Sequence, residues 1–266
     1  MQAHSTMAGQ LVIEVTLNAP EALNALNVAM VDLLLEHVPM WEADDTVIAI
    51  IMRGSGSKSF CAGGDVRHLY HQINQGNWHI GETFFNHEYH LDLMLHRLST
   101  PLLVWGSGYA IGGGMGLLQA AAIRIGTHSS RLAMPEVTIG LFPDVGGSYF
   151  LRQVPDDLGL FLGLTGAMLN GSDARQLGLL DALLGDNDYQ QLMQALVNFP
   201  FQSQSDTLSK AKSLIQGMES KAASQVQASD LDSHRHRIIE ALQQPDLASI
   251  VASLGLLKGR DKWLDK

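Results

Sequence analysis

Pro101-Leu102-Leu103-Val104-Trp105-Gly106-Ser107-Gly108-Tyr109-Ala110-Ile111-Gly112-Gly113-Gly114-Met115-Gly116-Leu117-Leu118-Gln119-Ala120-Ala121-Ala122-Ile123 carries no charged side chain and is long enough to cross a bilayer as one helix. How it is read decides the fold. Six glycines interrupt it, with Ser107 and Gln119 among them. Glycine weakens a continuous helix, whereas a short apolar run stopped by a glycine turn is the pattern of a buried strand. The stretch therefore reads as a strand over 101–105, a glycine turn, and a small-residue helix over 113–122 packed closely on a sheet. A membrane span is rejected.

Upstream, residues 11–17 mostly alternate apolar and polar (Ile13, Glu14, Val15, Thr16, Leu17) and predict a strand, which Asn18-Ala19-Pro20 breaks. Asn27 suits the cap of a helix running to about Val38, with Met30, Leu33, Leu34 and Val38 on one face and Pro39 as its end or kink. Residues 46–52 are almost continuously apolar, as in a strand covered on both faces. Gly54-Ser55-Gly56-Ser57 then loops into Ser59-Phe60-Cys61-Ala62-Gly63-Gly64-Asp65, and helical spacing returns over 66–75 and 82–98.

Downstream, short strands are expected at 123–126 and 131–134, helices at 146–153, 157–164 and 172–177, and a last strand residue at Leu183. From Asp186 the chain turns polar and rich in Ala, Gln and Ser, with helices expected at 187–197, 205–215 and 233–243. That change suggests a 1–185 core and a 186–266 helical region. Only 220–229 is compositionally simple, and no internal repeat is visible. Alternating strands and helices give an α/β class, leaving open a doubly wound sheet or a coil of strand-strand-helix units.

Apolar residues make up 46% of the 266 and charged ones 17%, a globular composition. The net charge of −10 argues against nucleic acid or an anionic membrane surface as partner. The single cysteine, Cys61, excludes an internal disulfide and fits a reducing cytoplasm. Residues 1–10 show no targeting pattern.

The chemistry is placed in residues 131–150, where two carboxylates, Glu136 and Asp144, stand in an apolar run punctuated by Gly and Pro. Desolvation favours the protonated carboxyl and can poise it near neutral pH. The plainer reading makes them helix-start acids, since Pro135 precedes Glu136. Gly63-Gly64-Asp65 and Gly112-Gly113-Gly114 each close a strand or loop and open a helix, so each offers outward N–H groups. Side by side they would supply two donors to one oxyanion; alone, each is a packing turn. The register is not that of a dinucleotide or Walker loop. His68 with His71, and His87 with His90, lack a third ligand and read as surface histidines, so no metal is expected. There is no G-x-S-x-G elbow, and Cys61 reads as packing.

These blocks, with Met134-Pro135-Glu136, Pro143-Asp144-Val145-Gly146-Gly147 and the opening Leu17-Asn18-Ala19-Pro20-Glu21-Ala22-Leu23-Asn24-Ala25-Leu26-Asn27, resemble the enoyl-CoA hydratase/isomerase (crotonase) superfamily over roughly residues 10–185. Phe84-Phe85, Glu88-Tyr89, Leu141-Phe142-Pro143 and above all Asp144 resemble its 3-hydroxyisobutyryl-CoA hydrolase branch. The resemblance implies a right-handed spiral of ββα turns with helical C-terminal elements. It implies a thioester carbonyl held by the N–H groups of Gly64 and Gly113, with Glu136 and Asp144 catalytic. Ala62, Asp65, Gly112, Gly116 and Phe142 are then expected to line the substrate, and Glu88 is either an acyl contact or a solvated helix residue. It further implies no cofactor beyond the coenzyme A of the substrate, a step in valine breakdown, and a homo-oligomer, a trimer or dimer of trimers. Hydratases of the superfamily have a second glutamate where this chain has Gly116. Ala19 stands where a basic, CoA-contacting residue is usual, and the region after 186 is shorter than the branch leads one to expect. Three readings follow: a short 3-hydroxyacyl-CoA hydrolase, an enoyl-CoA hydratase or isomerase, and a non-catalytic acyl-CoA-binding protein.

Overall fold

Apolar runs and glycine turns lay the chain down as strand, strand, helix, with successive strands going to two different sheets. The computed structural model describes residues 1–199, 201, 204–222 and 228–257. Strands β1 (Gln2–Ser5) and β2 (Leu11–Leu17) precede helix α1 (Val28–Glu42). The next turn holds β3 (Val47–Gly54), β4 (Ser59–Cys61), α2 (Val66–Asn74) and α3 (His79–His96). The one after holds β5 (Leu102–Gly106), β6 (Tyr109–Ile111) and α4 (Gly113–Gln119). Then β7 (Ile123–Thr127) and β8 (Arg131–Ala133) lead through a 3-10 turn at Glu136–Ile139 to α5 (Gly147–Leu151) and α6 (Leu158–Thr165). Strand β9 (Leu169–Asn170), α7 (Gly171–Gln176) and β10 (Ala182–Leu184) are followed by α8 (Tyr189–Asn198), α9 (Gln204–Ala222), α10 (Arg235–Leu242) and α11 (Leu247–Gly255).

One sheet has the order β1-β2-β3-β5-β7-β10 and the other β4-β6-β8-β9. Pairings are parallel except β1 with β2 and β8 with β9. The class is α/β, and the strand-strand-helix coil is the alternative that holds. Residues 101–123 form β5, β6 and α4: the strand, turn and helix expected, with β6 too short to show a period. Among the described residues, no helix is long and apolar enough to cross a membrane.

The continuous apolar run of β3 is explained by its two covered faces. Val47, Ile50 and Met52 join a core with Leu34 and Val38 of α1 and Leu91 and Leu95 of α3. Ile48, Ala49 and Ile51 face Leu192 and Leu196 of α8 and Ala211 and Ile215 of α9. The helices after 186 thus share a core with the six-stranded sheet.

Several elements differ from expectation. Helix α1 runs through Pro39 to Glu42: proline removes one N–H donor, but Pro39 is exposed while Leu34 and Val38 anchor the buried face, and Ala43 N–H bonds back to Pro39. Strand β1 is polar and is recruited by antiparallel pairing to β2. Helix α9 extends past 215, and β9 and α11 were not anticipated. Residues 223–227 of the simple 220–229 stretch, and 258–266 of the C-terminal region, lie outside the described residues.

Candidate active site

Parallel pairing brings three loops to one sheet end. β4 pairs with β6 at Cys61 and Ala110, and β6 with β8 at Ile111 and Ala133. The segments leaving their C-terminal ends, Gly63–Gly64, Gly112–Gly113 and Pro135–Glu136, therefore emerge together, the usual ligand-binding edge of an α/β sheet. Leu26 N–H donates to the Gly63 carbonyl, Asp65 N–H to Leu26 and Gly112 N–H to Ala133. The N–H groups of Gly64 and Gly113 take part in none of these bonds.

The two turns touch. A Cβ on Gly63 would lie 3.3 Å from the Gly113 nitrogen, and one on Gly113 would lie 3.5 Å from the Gly64 nitrogen. Gly63 and Gly112 have φ of +88° and +54°, a conformation costly for a side-chain-bearing residue. Two adjacent free N–H donors are the arrangement expected of an oxyanion site.

Helix α3 supports both turns with one row of side chains. Phe84, Glu88 and Asp92 are spaced i, i+4, i+8 and lie on one face. Cβ atoms built on Gly64 and Gly113 would run into Phe84 and Glu88, and one on Gly116 would lie 3.2 Å from an Asp92 oxygen. Glu88 is buried, so the solvated-helix alternative for it is overturned. Its Oε1 and both Asp92 oxygens are buried without a hydrogen-bond partner. Burial, then the charges of Asp144 and Glu136, push Glu88 up to about 8. Burial, then Glu88 and Asp144, hold Asp92 well above the ordinary carboxylate range.

Glu136 opens the 3-10 turn, so it is a helix-start acid and a desolvated one at once. One of its oxygens packs against the Cα of Gly112, 2.8 Å from where a Cβ would sit, and its Oε2 has no partner. Burial pushes its carboxyl up to about 7, its own N–H opposes that shift, and Asp144 adds to it. Asp144 is half-buried and accepts a hydrogen bond from Tyr89 Oη at 2.6 Å. Burial and this bond raise the Tyr89 phenol, which stays protonated.

Phe142 is exposed and, with Asp144, Tyr89, Asp92 and Gly116, lines a cavity of about 550 Å³ between α3, the end of α4 and residues 142–150. Gly116 is covered by Val145 and Asp92. Ala62 is half-buried beside the first turn, while Asp65 caps α2 by accepting from His68 N–H at 2.9 Å. Cys61 is fully buried with its thiol pushed up to about 12, an inert packing residue. His68, His71 and His90 are exposed, and His87 pairs with Asp32 at 2.7 Å. Among the described residues, no group of three His, Cys, Asp or Glu is placed to hold a metal. Sequence reasoning missed Asp92 and the Tyr89 tie; Asp92 stands one helical turn beyond Glu88, a spacing that does not by itself set it apart from other polar positions of an amphipathic helix.

A family model described as enoyl-CoA hydratase/isomerase matches residues 12–266. The chain belongs to that family. Among its relatives, 3-hydroxyisobutyryl-CoA hydrolase, mitochondrial, of Xenopus tropicalis is 40% identical over 183 residues, 69% of this chain and 47% of that protein. 3-Hydroxyisobutyryl-CoA hydrolase 1 of Arabidopsis thaliana is 43% identical over 164 residues, 62% of this chain and 43% of its own. The chain spans about half the length of the curated relatives it matches. Among solved structures, a carnitinyl-CoA dehydratase from Mycobacterium thermoresistibile superposes with a TM-score of 0.79 at 31% identity, covering 97% of this chain and 70% of that one. An enoyl-CoA hydratase from Rhodobacter sphaeroides 2.4.1 gives 0.77 at 28%, covering 99% and 71%. The fold is that of the enoyl-CoA hydratase family.

Proposed function

We infer that the protein hydrolyses the thioester of a short 3-hydroxyacyl-CoA, with 3-hydroxyisobutyryl-CoA of valine catabolism as the leading substrate. The observation that carries this reading is Glu136: a desolvated carboxylate packed on Gly112, one residue from a free N–H of the paired glycine turns. The thioester carbonyl accepts from Gly64 and Gly113 N–H, which stabilise the oxyanion as the tetrahedral adduct forms. Glu136 either attacks the carbonyl carbon itself, giving an anhydride that water opens, or removes a proton from the attacking water. The adduct collapses by breaking the C–S bond; the departing thiolate takes the proton that Glu136 drew from water or, on the anhydride route, one released by the water that opens the anhydride. Asp144, held by Tyr89, orients the 3-hydroxyl and assists that transfer. Relatives named as hydrolases, and Gly116 where a hydratase would carry a second glutamate, support this reading.

The likeness to a solved hydratase and dehydratase, with Asp92 reaching position 116 from α3, favours enoyl-CoA hydration as the second reading. Thiol release from 3-hydroxyisobutyryl-CoA, run beside crotonyl-CoA hydration, tests both. Release abolished by Glu136→Gln and Asp144→Asn supports the hydrolase; hydration without release selects the second. CoA-ester binding with neither activity leaves a binding protein. Oxygen-18 appearing in Glu136 after one turnover would select the anhydride route, and its absence the general base.

The chemistry resides in side chains and backbone, so the proposal includes no cofactor beyond the substrate's own coenzyme A. A homo-oligomer, a trimer or dimer of trimers, is proposed and is checked by sedimentation. Several relatives are named mitochondrial, and a cytoplasmic location rests on the single cysteine alone.

A further inference from the structure

The cavity that Asp144 helps to line is far larger than a short acyl group needs. A four-carbon 3-hydroxyacyl group displaces roughly four waters' volume, about 120 Å³, against the cavity's 550 Å³. Its position is also suggestive. Gly113, Gly116 and Ala120 fall on one face of α4 and its cap, at i, i+3 and i+7. Gly113 belongs to the oxyanion turn, whereas Gly116 and Ala120 line the cavity. An acyl chain whose carbonyl sits at Gly113 and which follows this face would enter the cavity after one helical turn.

Val145 stands on that path. It is buried, it lines the cavity, and its Cβ would be 2.7 Å from a Cβ at position 116. It is also held in an unusual conformation. Val145 has φ +42° and Gly146 φ +82°, and Gly147 N–H closes the turn onto the Asp144 carbonyl. Turns with positive φ at both central residues are ordinarily made by Asn-Gly or Gly-Gly, and a β-branched residue there is a genuine outlier. Glycine would suit the backbone better. Strain of this kind persists where the surroundings impose it, and it clusters at ligand clamps. Leu93, Phe142, Pro143 and Phe150 elsewhere in the cavity wall sit without that strain; the one side-chain-bearing residue of the wall forced into it, Val145, covers Gly116.

We propose that Val145 is the stop of the acyl site: its side chain, held over Gly116, confines the acyl group to the Gly113 end of the α4 face and blocks its way past Gly116 toward Ala120. Removing the side chain opens that way into the cavity and converts a short-chain site into one for longer 3-hydroxyacyl groups. The proposal rests on the acyl-CoA reading of the site given above.

The test compares kcat/KM for thiol release from 3-hydroxyisobutyryl-, 3-hydroxyhexanoyl- and 3-hydroxyoctanoyl-CoA in the wild type, Val145→Ala and Val145→Gly. Each methylene newly buried is worth roughly fourfold. The long-to-short ratio is expected to rise at least tenfold in Val145→Gly and by less in Val145→Ala. Ala120→Phe, which refills the cavity, should return the Val145→Gly ratio toward the wild-type value. An unchanged ratio in both variants, or a wild type that already prefers the eight-carbon ester, overturns the proposal. If the wild type releases no thiol from any ester, the hydrolase reading fails, and calorimetry with butyryl and hexanoyl thioether analogues of CoA still reads the stop. Tighter binding of the hexanoyl analogue in Val145→Gly, and to a lesser degree in Val145→Ala, supports it, and equal binding by all three proteins overturns it.

Discussion

Two of the places where this molecule buries carboxylates treat them in opposite ways. On the six-stranded sheet, Glu14 accepts from Arg53 Nε at 2.7 Å and Tyr189 Oη at 2.8 Å, with His4 Nε2 also at 2.8 Å. Burial pushes the Glu14 pKa up, but these bonds and the Arg53 charge outweigh it and leave it below the ordinary value. Across the core, Glu88, Asp92 and Glu136 bury oxygens with no partner and are raised. The Glu14 oxygens are satisfied by protein partners alone; the unsatisfied cluster lies beside the free N–H donors, where the proposed function places a ligand and a reacting proton.

Substitutions can break this contrast. Glu136→Gln is expected to lower kcat for thiol release by about a thousandfold or more, within or beyond the usual range for a lost acid–base group, while the folded state survives. Circular dichroism and the thiol assay read the two halves of that outcome. The wild-type kcat/KM is expected to rise with pH through an apparent pKa near 7, falling about tenfold per unit on the acid side, because Glu136 must be ionised to act. The carboxyl cluster titrates as a unit, so this value belongs to the group of acids.

Smaller effects sharpen the comparison through stability. Glu14→Gln is expected to cost about 2 kcal/mol near neutral pH, roughly 4–8 °C in Tm, with little effect on kcat. Glu14 is depressed in the folded protein, so its contribution is present above its unfolded value and lost as pH falls through the folded one. Glu88 behaves inversely: its raised carboxyl binds a proton more tightly in the folded state, so stability drains away as pH rises from 4.5 toward 8. Glu88→Gln should therefore raise Tm at pH 8 by about 2–4 °C or more and change it little at pH 5. Melting curves at the two pH values check the sign.

The glycine turns, Glu136 and Asp144 were legible because backbone freedom and isolated charge in apolar sequence leave marks in a single chain. The strands of the six-stranded sheet were legible where burial on both faces produced unbroken apolar runs, as in β3. Asp92 was not, because on α3 it looks like any polar position in an amphipathic helix until α4 packs against it with glycines. Glu88 stayed balanced for the same reason. Nor was the Tyr89–Asp144 bond visible, since the partners lie 55 positions apart in the chain. Strand β9 has two residues and β1 is polar; both exist through pairing and not through any preference of their own.

The order of strands in both sheets follows the order of synthesis: β1-β2-β3-β5-β7-β10 in one and β4-β6-β8-β9 in the other. Each new turn of chain therefore adds one strand to the open edge of each sheet, and no strand has to insert between two already paired. Only the β1–β2 hairpin closes locally; every later parallel pair waits for its crossover to emerge. A nascent chain can accordingly be laid down from its N-terminus like a wound ribbon: the two glycine turns meet as the third winding settles on the second, and Glu136 and Asp144 join them only with the fourth.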